Sequence, residues 1–430
     1  MNRLTYSPQG GACATSVADR LMRRAIAPDP NRFTGMIERV AFAVAITYVV
    51  LLAAAFASGV WLVDAHGFGI QTDFVNVWAA GRLVLDGNPA AAYDWVLHKA
   101  AEEQGVGHPF DNYFGWHYPP IFLFIAAALS SVPYVPAFLA WMALTFPAYL
   151  SVARMIVGSR IGLFLACAFP GVLWNIAVGQ NGFLTAALLG AALGAMKTRP
   201  LLAGVFVGLL SYKPQFGILF PLVLAMDGQW RTFSVAALTT LSLVVASWWV
   251  FGLEAWQAFF HYLPLTSGLV LTAGLAGFDK LQTIFGVVRW FGGGETFAWI
   301  LQGAMTATCI VAVLLIWRQR ISHDIKAAAL AVAVLLATPY LYVYDLVALA
   351  VPMAFLIRLG LRQGFMSCEI EALTLASTLV FIVPLTSGPA GLLAIFVIAL
   401  LIGRRAVAVE SPPVVPARAS PAVSGVKWSP

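Results

Sequence analysis

Charged residues are scarce in this sequence. Only 10% of its 430 residues are Asp, Glu, Lys or Arg, whereas a soluble domain usually has about 25%. This scarcity excludes a soluble globular domain. The net charge of +6 does not indicate nucleic-acid binding either, because the basic residues are scattered in ones and twos between apolar segments, as in cytoplasmic loops of membrane proteins.

Cysteines and nucleotide-binding motifs are also scarce. The four cysteines are Cys13, Cys167, Cys309 and Cys368. They are far apart in the chain, so neither a disulfide framework nor a metal-ligand spacing follows from them. The sequence has no Walker A motif and no glycine-rich turn between a strand and a helix, and therefore no evident nucleotide site.

Apolar residues dominate what is present. They make up 60% of the chain, and the mean hydropathy is +0.84, which is typical of an integral membrane protein. Arg32 and Arg39 precede the first apolar run, residues 40–63, so the positive-inside rule places the N-terminus in the cytoplasm. Following the runs along the chain predicts about twelve transmembrane helices with both termini inside.

Three regions follow from this pattern. Residues 1–39 lack the apolar core and cleavage site of a signal peptide, and we interpret them as a cytoplasmic N-terminal extension. Residues 40–405 form the transmembrane domain. Residues 406–430, rich in Pro, Ser, Ala and Val, are predicted to be a disordered cytoplasmic tail.

The stretch from residue 70 to residue 95 is the densest set of polar and aromatic groups in the chain. Its apolar residues recur at helical spacing and predict a short amphipathic helix, with Asp73 at or just before the first turn. Phe74 and Trp78 on one face suit a membrane interface. The run of about a dozen apolar residues at 121–131 is too short for a comfortable span and predicts an interfacial or re-entrant helix.

Several polar motifs lie between the predicted spans on the outer side. The residues concerned are Asp73, His117, Gln180, Lys213 and Asp345, none of which is needed to set the topology. A carboxylate, one or two cations and an amide at one membrane depth indicate a site for a headgroup with phosphate. Lys213 or Arg82 would hold a phosphate oxygen, and Asp73 would take a proton from a sugar hydroxyl as general base.

The same residues also suit structural roles, and the sequence leaves both explanations open. Asp73 and Asp345 would suit helix caps, and Gln180 and Asn181 would suit turn positions. Lys213 would suit a cation that snorkels to the interface. His117 would suit a histidine bonded to a backbone carbonyl, and Arg82 a solvated helix face.

The motifs together resemble a known family. The stretch from Thr72 to Asp94 is similar to the signature of the bacterial glycosyltransferase family 87. Supporting motifs follow in the expected order: Tyr118-Pro119-Pro120, Gly179-Gln180-Asn181, Tyr212-Lys213-Pro214-Gln215, and Thr338-Pro339-Tyr340 with Tyr344-Asp345. The resemblance covers roughly residues 40 to 400.

The resemblance implies an all-α, GT-C-like membrane protein of the bacterial inner membrane, whose first extracytoplasmic loop carries juxtamembrane helices. It implies a polyprenyl-phosphate donor, often of mannose or arabinose, a glycolipid or glycan acceptor, inverting transfer on the periplasmic face, and Asp73 as catalytic base. The substrate-binding positions matched by motif are Lys213, His117, Arg82, Gln180, Asn181, Tyr340, Tyr344 and Asp345. No cofactor is expected, and the single aspartate at the first motif does not indicate a metal.

Two other functions remain open at this point. A transporter or flippase of lipid-linked sugars would need charged or broken helices near the midplane and access from both sides. A non-catalytic lipid-binding subunit would not need the Asp73 carboxylate. The collection of polar motifs on one side favours the enzyme.

Overall fold

The computed structural model describes residues 30–275 and 277–410. The remainder of the predicted extension, residues 1–29, and the tail from residue 411 lie outside these ranges. Within the described residues the chain forms helices, loops and isolated β-bridges, without a strand. The all-α prediction is therefore confirmed.

The α-helices follow one another along the whole described chain. They are α1 (Pro30–Ala57), α2 (Val75–Leu85), α3 (Trp95–Val106), α4 (Leu123–Leu129), α5 (Tyr134–Val157), α6 (Ile161–Ala168), α7 (Pro170–Val178), α8 (Gly182–Ala195), α9 (Pro200–Leu209), α10 (Pro214–Gly217), α11 (Phe220–Met226), α12 (Trp230–Ser267), α13 (Ile284–Trp290), α14 (Glu295–Arg318), α15 (His323–Ala337), α16 (Ala350–Gln363), α17 (Glu369–Thr386) and α18 (Ala390–Glu410). Short 3₁₀ turns at Pro89–Tyr93, Pro120–Phe122, Leu210–Tyr212, Phe278–Lys280 and Val343–Leu349 join some of them.

The described helices include fewer long spans than the twelve predicted. Seven are long and apolar enough to cross a membrane, or up to eight if α6 and α7, bent by 55°, form one broken span. Several of the other predicted spans are shorter helices, among them α8 and the runs Pro200–Tyr212 and Pro214–Met226. The difference arises because polar breaks and prolines end these helices before they reach the length of a membrane crossing.

The first loop carries the predicted helix, but its apolar face is turned inward. Phe74 is fully buried and Trp78 is 7% exposed, and the Trp78 Nε1 donates to the Val132 carbonyl at 2.9 Å. Gly81 lets α2 approach α4, since a Cβ there would lie 2.0 Å from the Ala126 carbonyl oxygen. The expectation that this face lies on the membrane interface is therefore wrong: it packs on protein.

Two helices cross the predicted region boundaries. Helix α1 begins at Pro30, within the predicted extension, and α18 continues to Glu410, beyond the predicted start of the tail at residue 406. The end of α18 is held by Arg404, whose Nη2 donates to the Ser367 carbonyl at 3.0 Å. This contact and the neighbouring arginine described below anchor the last turns on the start of α17.

Ion pairs mark one end of the helix bundle, which we call the charged end. They are Arg160–Glu38, Lys197–Asp227, Arg358–Asp324 and Arg405–Glu369. All eight residues belong to segments that the sequence places at the cytoplasmic side. The contacts therefore bring these segments together at one end of the bundle, and the side of the membrane on which that end lies stays a prediction.

Candidate active site

Three helix reversals meet at the other end of the bundle, which we call the apical end. They are the turn from α7 to α8 at 179–181, the break after α9 at Lys213, and the turn after α15 that leads to Asp345. The Lys213 Nζ donates to the Asn181 Oδ1 at 2.8 Å and to the Asp345 Oδ1 at 2.5 Å. One ammonium group thus joins all three reversals. Because Lys213 is only 4% exposed, it is not a snorkelling interface residue.

Two glycines allow the reversals to come this close. Gly179 has a φ of +73°, and a Cβ there would lie 2.8 Å from the Cβ of Phe74. A Cβ on Gly182 would lie 2.6 Å from the Tyr344 carbonyl oxygen and 2.5 Å from the Asn175 Oδ1. The glycines on both sides of Gln180 therefore let the α7–α8 turn contact the first loop at Phe74 and the segment that carries Asp345 directly.

The amides of this turn bind neighbouring segments instead of capping the helix. The Asn181 side chain makes no capping bond to α8, and its Oδ1 accepts from Lys213. The Gln180 Oε1 accepts from the Tyr118 hydroxyl and from the Asn181 backbone N–H, each at 3.2 Å. Among the described residues the buried Asn181 Nδ2 has no hydrogen-bond partner.

Asp73 reaches the apical end from the first loop. The N-cap of α2 is Phe74, and no side chain caps this helix, so the capping explanation for Asp73 is excluded. The Phe74 N–H instead contacts the Thr72 Oγ1 at 3.3 Å and the Val178 carbonyl at 3.2 Å. The second contact fixes Asp73 beside the end of α7, next to Gln180.

The surroundings of Asp73 favour its neutral form more than water does. Asp73 is half-buried, and the loss of solvation raises the pKa of its carboxyl to about 6, with a smaller increase from the negative charge of Asp345. The positive charge of Lys280 and a hydrogen bond from Gln180 oppose this rise of the pKa. A carboxylate with a pKa near 6 is mostly ionised at pH 7 and still able to accept a proton.

Asp345 combines a capping role with the ion pair. Its Oδ2 accepts from the Tyr342 N–H at 3.3 Å, at the start of the 3₁₀ turn Val343–Leu349. The other oxygen accepts from Lys213, whose Nζ also lies 5.2 Å from the centre of the Tyr344 ring. Tyr344 stacks on Tyr342 with a centroid distance of 5.6 Å. These aromatic faces border the charged groups.

Aromatic rings also pack beneath the amide turn. Phe122 stacks on Tyr212 at 4.7 Å and contacts Tyr118 at 4.9 Å. Tyr212 shares a hydrogen bond of 2.6 Å with the Thr185 hydroxyl. Tyr118 and Tyr212 occur in the sequence motifs, but they were not predicted as site residues; their packing shows that these motifs build the floor of the apical end.

His117, Tyr340 and Arg82 lie outside the network around Lys213. His117 keeps some solvent-exposed surface, but it lies deep among protein atoms, and this desolvation, with a smaller contribution from the charge of His98, lowers its pKa to about 4, so its ring is neutral at pH 7. Tyr340 is half-buried, and its backbone N–H donates to the Thr338 hydroxyl. Arg82 lies nine residues after Asp73, roughly 13 Å along the helix axis, and forms an exposed ion pair of 2.7 Å with Asp86.

Lys280 is a residue that the sequence motifs did not single out. It ends the 3₁₀ turn Phe278–Lys280 and is exposed. The next residue, Leu281, pairs with Tyr342 in an isolated antiparallel bridge. This bridge brings a loop from the middle of the chain to the segment that carries Asp345, and no local sequence signal indicates such a pairing.

The described residues contain no group of three or more His, Cys, Asp or Glu side chains that would hold a metal ion. What the apical end offers is a carboxylate without a capping role, a buried ammonium group, amides and aromatic faces. Such a set suits the binding and deprotonation of a hydroxylated ligand.

Comparison with known proteins relates the chain to a protein family. The model of a family described as glycosyltransferase family 87 matches residues 116–339, just over half of the chain. The matched range contains the Gln180–Asn181 turn and Lys213, while Asp73 and Asp345 lie on either side of it. No curated protein and no solved structure matches the chain.

Proposed function

The chain belongs to glycosyltransferase family 87, and from this we propose that it transfers a mannose- or arabinose-like sugar from a polyprenyl-phosphate donor to a glycolipid or glycan acceptor. Membership of the family makes the protein a glycosyltransferase with a sugar donor and an acceptor. Its apolar helices make it a multi-pass membrane protein. The proposal adds the class of donor, the acceptor and the mechanism.

The observation that carries the mechanism is the placement of Asp73. Its carboxylate is left without a capping role, and it lies beside the amide turn. In the proposed reaction Asp73 takes the proton of the acceptor hydroxyl while the hydroxyl oxygen attacks the anomeric carbon. The bond between that carbon and the phosphate oxygen breaks, and the lipid phosphate leaves with the electron pair. Attack from the face opposite the phosphate inverts the anomeric centre.

The lipid character of the donor is supported by the position of the site. The apical end closes a bundle of apolar helices, so a polyprenyl chain in the bilayer would bring its phosphate to the depth of the amide turn. The charged end holds the segments that the positive-inside rule places in the cytoplasm. We therefore propose that transfer takes place on the periplasmic face of the inner membrane.

Family membership also favours this function over the alternatives. A flippase would carry lipid-linked sugar across the membrane without breaking the bond to phosphate, and a binding subunit would not use a base. The polar groups around Lys213 lie at one end of the bundle, which suits a reaction on one side of the membrane better than passage through it.

The test is sugar transfer by purified protein in EDTA. Radiolabelled short-chain polyprenyl-phosphate sugars are offered with membrane extract as acceptor. We expect label to move from one donor with wild type, and Asp73→Asn to reduce the rate by about 10²- to 10⁴-fold, the usual contribution of a general base. Donor binding by Asp73→Asn should persist.

The matched control is Asp111→Asn, which removes an exposed carboxylate from the same loop. We expect its rate to equal that of wild type. An Asp73→Asn enzyme with unchanged turnover would rule out the base. Donor binding by wild type without transfer from any donor would instead favour the flippase or the binding subunit.

A further inference from the structure

A departing lipid phosphate needs a cation, and Lys213 is poorly placed to supply one. It is buried, and two of its three N–H donors are bound by Asn181 and Asp345. The Asp345 carboxylate at 2.5 Å neutralises its charge. The second candidate from the sequence, Arg82, is already paired with Asp86. A further cation is therefore expected near Asp73.

Lys280 has the required position. The segment that follows it is anchored on two sides: the Gln282 N–H donates to the Leu341 carbonyl at 2.8 Å, and the Gln282 Oε1 accepts from the Gly391 N–H at 2.8 Å. Lys280 therefore stands at a fixed point on the rim of the apical end, although its side chain is exposed.

The charge of Lys280 is not used by another group in the described part of the chain. No carboxylate there lies within ion-pair distance of its ammonium group, in contrast to Lys213. Its charge nevertheless acts on Asp73, because it holds the pKa of that carboxyl lower than burial alone would. The ammonium group is therefore close enough to the proposed base for their charges to interact.

We propose that the Lys280 ammonium group binds the phosphate of the lipid-linked donor. This inference rests on the proposed function. A phosphate placed between Lys280 and Asp73 would put the anomeric carbon within reach of an acceptor held by the base. The bond to Lys280 would be charge-assisted and would strengthen as negative charge builds up on the leaving oxygen. The positive charge of Lys280 would also offset the repulsion between the anionic donor and the Asp73 carboxylate.

The experiment compares two lipid probes, a short-chain polyprenyl phosphate and the uncharged polyprenol of the same length. Their affinities are measured by calorimetry for wild type, Lys280→Ala, Lys280→Arg and Arg320→Gln. Arg320 is an exposed cation that follows α14 at the charged end, so its variant controls for net charge. We expect Lys280→Ala to weaken binding of the phosphate about 10- to 100-fold, as the loss of a hydrogen bond to a charged group does.

Polyprenol binding should stay unchanged in Lys280→Ala. Lys280→Arg should keep most of the preference for phosphate, and Arg320→Gln should match wild type. In the transfer assay, the acid limb of the rate profile of Lys280→Ala should move to higher pH, because the positive charge that lowers the pKa of Asp73 is gone. If Lys280 had a purely structural role, Lys280→Ala would bind both lipids more weakly, and the acid limb of its rate profile would stay at the same pH.

The outcomes separate the two proposals. If wild type binds the phosphate no better than polyprenol, the polyprenyl-phosphate donor is wrong. If wild type prefers the phosphate and Lys280→Ala prefers it equally, the role of Lys280 is wrong while the donor stands. An equal loss of affinity for both lipids in Lys280→Ala would also overturn the proposed role of Lys280.

Discussion

The two ends of the bundle each contain a buried ion pair, and the two pairs are built differently. At the charged end, Arg405 binds Glu369 through two nitrogen atoms, at 2.8 and 2.5 Å, and a third bond of 2.9 Å joins it to the Gly364 carbonyl. The Glu369 Oε2 also accepts from the Met366 N–H at 2.8 Å. This pair joins the start of α17 to the end of α18, and both of its carboxylate oxygens are bound.

The pair at the apical end branches instead of closing on itself. Lys213 binds both Asp345 and Asn181, and the third N–H of its ammonium group faces no acceptor in the described residues. The neighbouring Asn181 Nδ2 is likewise unbound by protein. Both pairs are equally buried, so burial alone does not distinguish a structural ion pair from one at a functional site. The unbound N–H groups of Lys213 and Asn181, together with the nearby Asp73, are what distinguish the apical pair.

Breaking the pairs should give the largest effects. Removing one partner leaves a buried charge uncompensated, which costs about 3–5 kcal/mol of stability. We expect Lys213→Met and Arg405→Met to lower the thermal unfolding temperature in detergent to a similar extent. Removing both partners, in Lys213→Met/Asp345→Leu and in Arg405→Met/Glu369→Leu, should recover much of the stability.

Sugar transfer should then separate the two double variants. The Arg405/Glu369 variant should regain activity together with stability, because its pair only fastens two helices. The Lys213/Asp345 variant should stay inactive, because the three reversals lose the group that joins them. Recovery of transfer in the Lys213/Asp345 variant would mean that the apical pair is structural too.

The sequence predicts the apical reversals better than the contacts between them. Glycine, proline and polar residues between apolar runs indicate where the helices turn, and charge in the loops indicates which turns share a side. The partner of Lys213 lies 132 residues away, and no local pattern specifies such a pairing. Lys280 is brought to the apical end by one bridge between Leu281 and Tyr342, and no local sequence pattern predicts this bridge either.

The direction of an apolar face is also undetermined by sequence in a membrane protein. The face of α2 that carries Phe74 and Trp78 suits lipid and protein equally, because both surroundings are apolar. The number of membrane spans is poorly predicted from sequence for the same reason. A helix such as α15, with 15 residues, is apolar enough to be taken for a span, yet it is almost wholly surrounded by other helices.

A smaller effect is expected from separating the reversals without changing charge. In Gly182→Ala the new methyl group would lie 2.6 Å from the Tyr344 carbonyl oxygen, so the α7–α8 turn must move away from the segment that carries Asp345. A misplacement of about 1 Å can cost about 10²-fold in rate. We expect transfer to fall by this order while the protein still folds.

The matched control is Gly303→Ala in α14, where a Cβ would meet nothing within 4 Å. Its transfer rate should equal that of wild type, and its stability should rise slightly because alanine favours the helix. Equal activity of the two alanine variants would show that the close approach at Gly182 is not needed for catalysis.

The smallest expected effect concerns the pH at which transfer is lost. The pKa of Asp73 is about 6, and a general base must be deprotonated, so the rate should fall as the pH drops through about 6. Gln180→Met should move this midpoint to higher pH, because the hydrogen bond that lowers the pKa of Asp73 is lost.

His117 provides the decisive comparison for this assignment, since a histidine in water also titrates near pH 6.5. Its surroundings lower the pKa of His117 to about 4, so the ring is neutral on both sides of the limb. In His117→Gln the midpoint should therefore stay near 6, whatever happens to the rate. If the midpoint near pH 6 disappeared in His117→Gln, the titrating group would be His117 and not Asp73. The rate profile of wild type, Gln180→Met and His117→Gln, measured between pH 4 and pH 8, thus identifies which group at the apical end accepts the proton.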